Sequence, residues 1–109
     1  MLNNEVIAVH NKDYDGEINN PDTVKRISIT RDQWDRNLVS MAIRAAYVFG
    51  LSFAAVDFLV TADRESYILE INSAPGLERF QRPTEGPAID AIRIFLNEVV
   101  KNYKNLIYL

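Results

Sequence analysis

Asp57, Glu70 and Asn72 are three oxygen-bearing side chains set into runs that are otherwise apolar. Ala54 to Val60 reads AAVDFLV, and Leu69 to Leu77 reads LEINSAPGL. A carboxylate placed within a strand is costly unless it is paired or bound to a cation. Side chains alternate faces along a strand, so Glu70 and Asn72 share one face, while Tyr67, Leu69 and Ile71 take the other. On the preceding run Phe53, Ala55, Asp57 and Leu59 share a face. If Thr61 pairs with Ser66 across Ala62 to Glu65, Asp57 falls directly opposite Glu70, and Asn72 falls opposite Ala55 on the same face. Like charges directly opposed destabilise a sheet, which calls for something positive between them. Two carboxylates and an amide oxygen are hard ligands, suited to Mg²⁺ or Mn²⁺ rather than to zinc. The spacing leaves two readings open: a divalent-cation site, or a solvated sheet edge that binds nothing. Ser73-Ala74-Pro75-Gly76 follows at once, a turn whose backbone N–H groups could face an anion beside the cation.

The elements that must hold these residues read in the order ββαββα. Val6 to His10 (VIAVH) is rich in β-branched residues and predicts a strand, preceded by the turn-prone pair Asn3-Asn4, so the chain starts as if at a hairpin turn whose first strand is not there. Asn11 to Thr23, polar with Gly16 and Pro21, predicts a mobile loop. Val24 to Ile29 is a second strand, and Thr30 with Gln33 has capping-box spacing for the helix that follows. That helix should bury Trp34, Leu38, Met41, Ala42, Ala45 and Val48, and Gly50 suits a helix-ending position with positive φ. Strands over Phe53 to Val60 and Ser66 to Asn72 come next. Gly86-Pro87 then opens a last helix, with Pro87 at its first position and Ile89, Ile92, Leu96, Val99 and Val100 on its buried face. The apolar tail Leu106 to Leu109 should pack against something. The class predicted is α+β, an antiparallel sheet with helices on one face.

Composition narrows the functions on offer. With 109 residues there is room for one small core, and 48% hydrophobic against 25% charged residues argues against wholesale disorder. Twelve Lys and Arg against fifteen Asp and Glu give a net charge of -3 and a pI near 5.1, which argues against a broad nucleic-acid surface. Cys is absent, so neither disulfides nor thiolate metal sites exist, and the lone His10 cannot build a zinc site. No apolar run is long enough to cross a membrane and no charged-then-apolar leader opens the chain, so the expected compartment is the cytoplasm.

The run AAVDFLV followed by LEINSAPGL resembles the metal-binding signature of the ATP-grasp ligases, most of all the group that includes the ribosomal-protein glutamate ligases and glutathione synthetases. The resemblance rests on an Asp in an apolar strand, a Glu-x-Asn ending the next strand thirteen residues on, and a small-residue turn with Pro-Gly. More weakly, the order of elements follows the family over nearly the whole chain. What the resemblance implies is the C-terminal half of an ATP-grasp fold, spanning residues 1–109 as a subdomain of a longer ligase. It implies Asp57, Glu70 and Asn72 as ligands of Mg²⁺ or Mn²⁺, and Leu59 against the adenine of ATP, beside the reading of Leu59 as ordinary core. Phosphate-gripping basic residues of related enzymes have no counterpart in Asp15 to Asn20. Lys12, Lys25 and Arg26 are the candidates, Lys12 being the one assigned to ATP, unless all are simply solvated.

The chemistry implied is ATP-dependent carboxylate–amine ligation through an acylphosphate, with ATP and a carboxylate substrate as partners and no role for nucleic acid or membrane. The other half of the grasp would need at least ~150 more residues. The chain alone is therefore not expected to bind ATP tightly or to be active. The competing expectation is a non-catalytic ATP-grasp remnant that forms a homodimer or docks on a partner, possessing the metal hairpin but no turnover. Exposed apolar surface where the missing half would sit also predicts self-association.

Overall fold

The computed structural model describes residues 1–14 and 24–107, the side chains of Tyr14 and of residues 103–107 excepted. The order of elements is β1 (Val9–Tyr14), β2 (Val24–Ile29), α1 (Arg36–Val48), β3 (Ala55–Val60), β4 (Ser66–Asn72), α2 (Glu78–Gln81) and α3 (Ala91–Ile107). The class is α+β. The strands pair as two antiparallel two-stranded ladders, β1 with β2 and β3 with β4. Two compact units result: Met1–Val9 with Ile29–Gly76, and His10–Ser28 with Leu77–Leu109. Among the described residues no helix is long and apolar enough to cross a membrane.

The first unit carries the β3–β4 hairpin and α1, which packs against β4. Asn3 and Asn4, at φ 48° and 66°, make the expected tight turn. Leu2 N donates to Glu5 O at 2.8 Å, Glu5 N returns a bond to Leu2 O at 3.0 Å, and Ala54 N donates to Met1 O at 3.1 Å. The first two bonds close the turn, and the third ties the first residue to the start of β3. The Thr30–Gln33 pair exists, with Thr30 N donating to Gln33 Oε1 at 3.2 Å, but it closes a short 3₁₀ turn over Arg31–Gln33. The helix proper starts five residues later than Arg31, because the Asp35 carboxylate accepts from Asn37 N at 2.8 Å and Leu38 N at 3.4 Å and so satisfies its first turn. It ends as expected: Gly50 sits at φ 66°, and Leu51 N reaches back to Ala46 O at 2.8 Å. Ala42 and Ala46 are its buried residues, and Leu38, Met41 and Ala45 are half-buried. Val48, expected in the core, is 76% exposed, because the chain leaves the helix there.

In the second unit β1 is displaced from the expected Val6 to His10. It runs on through Asn11, Lys12 and Asp13, which were expected to be loop; the pairing with β2 overrides the low strand propensity of these side chains. The rest of the expected mobile loop, residues 15–23, lies outside the described residues, as do the side chains of the Leu106–Leu109 tail. Gly86-Pro87 does not open α3. Residues Thr84 to Gly86 instead lie along β2: Thr84 N donates to Arg26 O at 2.8 Å, Ser28 N to Glu85 O at 2.9 Å, and Arg26 N to Thr84 Oγ1 at 3.0 Å. Gly86, at φ 86°, approaches so closely that a Cβ there would stand 2.1 Å from Ser28 O. The α3 helix begins at Ala91, with Asp90 Oδ1 accepting from Arg93 N at 3.2 Å. Its covered side is Ala91, Ile94 and Phe95, not the predicted stripe; Ile92, Leu96, Val99 and Val100 are 37–52% exposed. The small Ala91 that opens α3 is fully buried.

Candidate functional site

The hairpin that carries the three oxygen ligands is closed by Thr61 to Glu65. Thr61 N donates to Glu65 O at 2.9 Å, Arg64 N to Thr61 O at 2.9 Å, and Glu65 N to Thr61 Oγ1 at 3.1 Å. Arg64 takes a left-handed φ of 62° to complete the loop. The first rung beyond it is Val60 opposite Ser66, one residue off the expected Thr61–Ser66 pairing. Leu59 then faces Tyr67 and Phe58 faces Ile68. A β-bulge follows, with Leu69 as the extra residue, and beyond it Asp57 stands opposite Glu70, Val56 opposite Ile71 and Ala55 opposite Asn72. The expected opposition of the two carboxylates therefore holds, reached through a bulge instead of a regular ladder.

The bulge changes which other residues share that face. Directly opposed residues present their side chains on one side of a ladder, and alternation along β3 puts Leu59 with Asp57. Tyr67, opposite Leu59, thus stands on the side of Asp57 and Glu70, not on the far side as strict alternation along β4 predicts. Leu59 and Tyr67 are each about half exposed, at 49% and 50%. The Tyr67 hydroxyl donates to Glu65 Oε2 at 2.5 Å, and that bond, with a smaller contribution from burial, holds its pKa above the ordinary phenol value. Nothing in the run SYILEIN signals the bulge; only the ladder reveals it.

Asp57 is half-buried, and Glu70 and Asn72 are exposed. Asn72 Oδ1 accepts from Ala74 N at 3.0 Å, an Asx turn that fixes the amide at the strand end and keeps one oxygen lone pair for another partner. That bond also engages one of the N–H groups expected to face an anion. Among the described residues no group of three His, Cys, Asp or Glu side chains forms a metal cluster. What the hairpin offers is the mixed set of two carboxylates and one amide oxygen, which fits a hard divalent cation that keeps waters and takes its other ligands from phosphate.

Lys12 lies on β1, in the second unit, and is half-buried. It and Arg26 flank His10, whose ring nitrogens are both buried without a hydrogen-bond partner; the imidazole packs against Phe80 with ring centroids 4.6 Å apart. Burial first, then the Arg26 and Lys12 charges, lower the pKa of His10 below the ordinary imidazole value. Asp57, Glu70, Asn72 and Leu59 are thus brought onto one hairpin, while Lys12 belongs to the other unit.

Residues 1–96 match the RimK-like ATP-grasp domain, and the chain belongs to that family. It is similar to a protein of Alkalilimnicola ehrlichii named "Probable alpha-L-glutamate ligase", at 40% identity over 65 residues, 60% of this chain and 21% of that one. It is also similar to "Probable alpha-L-glutamate ligase 2" of Shewanella frigidimarina, at 39% identity over 54% of this chain and 20% of that protein. A protein of Coxiella burnetii with the name "Probable alpha-L-glutamate ligase" is 29% identical over 95% of this chain and 34% of its own length. The chain therefore spans from about a fifth to a third of these relatives. No solved structure matches it.

Proposed function

We propose that this chain supplies the cation-holding floor of the nucleotide site in an ATP-dependent carboxylate–amine ligase. The observation that carries the proposal is the β3–β4 register, which sets Asp57 against Glu70 and leaves Asn72 on the same face. Asp57, Glu70 and Asn72 would hold Mg²⁺ or Mn²⁺, and Leu59 would meet the adenine of ATP. The bound cation would neutralise charge on the transferring phosphoryl group. In the ligation proposed, a carboxylate oxygen of the substrate attacks the γ-phosphorus of ATP and the bond to the β–γ bridging oxygen breaks, giving an acylphosphate and ADP. An amine then attacks the acyl carbon and phosphate leaves with the electron pair, the amine proton passing to solvent. The residues named here hold and orient; none is a covalent nucleophile. The names of the relatives favour alpha-L-glutamate as a substrate, and the ATP dependence proposed here favours a cytoplasmic setting. We treat residues 1–109 as a C-terminal ATP-grasp subdomain that acts within a longer ligase.

Mn²⁺ binding followed by the loss of free-ion EPR signal tests the site. The wild-type chain should take up the ion, and Asp57→Ala with Glu70→Ala together should abolish uptake; retained binding in that double variant would sink the assignment. A second reading is favoured by the exposed apolar residues Ile92, Leu96, Val99 and Val100 along α3, which suit a non-catalytic module that dimerises or docks. Sedimentation of the chain separates it: a concentration-dependent dimer that persists in the double variant supports the docking role.

A further inference from the structure

We propose that Tyr67 is a base-binding residue of the nucleotide site, its ring forming with Leu59 the platform on which a purine rests. The inference deepens the ATP reading above and rests on it. Tyr67 and Leu59 are directly opposed across the ladder, on the face that Asp57 and Glu70 share. Both are large, and about half of each is uncovered, at 50% and 49% exposure. From Asp57 to Leu59 is two residues of strand, about 6.8 Å, a separation that a ribose spans between cation-bound phosphates and a base. Aromatic and aliphatic side chains side by side make a flat apolar surface of the kind planar bases stack on. The bond from the Tyr67 hydroxyl to Glu65 Oε2, 2.5 Å, holds the ring in one orientation before any ligand arrives, which reduces the entropy lost on binding. Only the bulge at Leu69 puts the ring there; in a regular ladder Tyr67 would face away.

The test compares ATP with inorganic tripolyphosphate, which has the phosphates and no base. Both are titrated into the whole chain with Mg²⁺ present, and binding is read from backbone amide shifts and from saturation transfer to the purine H2 and H8 protons. Tyr67→Ala should weaken ATP about tenfold, with loss of purine saturation transfer, and leave tripolyphosphate within about twofold. Unchanged tripolyphosphate binding also shows that the variant is folded. Tyr67→Phe, which keeps the ring and loses the bond to Glu65, should bind ATP within about threefold of wild type. Equal loss for both ligands in Tyr67→Ala, or no loss for ATP, overturns the role of Tyr67 while leaving the cation site standing. A wild-type chain that binds neither ligand, or an Asp57→Ala variant that binds tripolyphosphate normally, overturns the ATP reading and this inference with it.

Discussion

Replacing Glu70 by Gln should raise the stability of the cation-free protein and remove its response to Mg²⁺. Glu70 stands directly opposite Asp57, and directly opposed side chains in an antiparallel ladder have Cβ atoms about 5 Å apart. Two unit negative charges at about 5 Å repel by roughly 0.8 kcal/mol at the dielectric constant of water. Partial burial of Asp57 strengthens that repulsion, and salt weakens it. A gain of about 0.5–1 kcal/mol is therefore expected for Glu70→Gln at low ionic strength, read as a melting temperature higher by about 4–8 °C per kcal/mol. Mg²⁺ should reverse the order. At ten times its dissociation constant it stabilises a binding protein by about 1.4 kcal/mol, and the variant with one carboxylate lost should gain little. The assay is thermal unfolding of both proteins with and without Mg²⁺, at low and high NaCl. If Glu70→Gln melts no higher than wild type without cation and responds fully to Mg²⁺, then the two carboxylates do not interact and Glu70 is no ligand of the cation.

Three other outcomes follow from the packing. Gly86→Ala should cost about 3 kcal/mol by urea denaturation, the sum of about 1–2 for a left-handed alanine and about 0.5–1.5 for each β2 bond lost as its Cβ is pushed off Ser28 O, 2.1 Å away. Asp35→Ala should lower stability by about 1 kcal/mol in the same assay, and Asp35→Asn should restore most of it, since either side-chain oxygen accepts the first-turn N–H groups of α1. His10 should destabilise the fold in acid: its folded pKa is depressed by burial and by Arg26 and Lys12, so the unfolded chain binds the proton more readily. Its contribution is complete above about pH 6.5 and is lost as pH falls below that through the folded value. NMR titration of the one histidine should give a value below 6.5, and His10→Leu should flatten stability between about pH 7 and 5.5; a value above 6.5 contradicts the placement.

The parts of the fold that were legible in the sequence are those set by local chemistry. The limits of β2 and β4, the Asn3-Asn4 turn and Gly50 past the end of α1 are written in β-branched runs and in residues that tolerate positive φ. The facing of Asp57 and Glu70 was also legible, though by a route that hid a detail. A loop one residue longer and a bulge at Leu69 cancel at the carboxylates, yet reverse Tyr67, and no residue type marks a bulge in YILE. The buried side of α3 could not be read because Ile92, Ile94, Phe95, Leu96, Val99 and Val100 surround much of the helix, so periodicity does not select a face. Gly86-Pro87 resembles a helix start, but its role is a close backbone approach to Ser28, a tertiary fact. Of the candidate site, the shared face of Asp57, Glu70, Asn72 and Leu59 follows from strand spacing, whereas roles for Leu59 and Lys12 toward ATP come only from the family resemblance, and Lys12 lies within β1.

Membership in the RimK-like ATP-grasp family and the hairpin geometry meet in a single claim, that Asp57, Glu70 and Asn72 together hold a divalent cation. Crystals of the chain soaked in Mn²⁺ and measured for anomalous scattering address it directly. The account predicts a peak on the open face of the β3–β4 hairpin, at about 2.0–2.3 Å from a carboxylate oxygen of Asp57, one of Glu70 and Oδ1 of Asn72. A well-diffracting crystal with Mn²⁺ bound elsewhere and this face empty would contradict it.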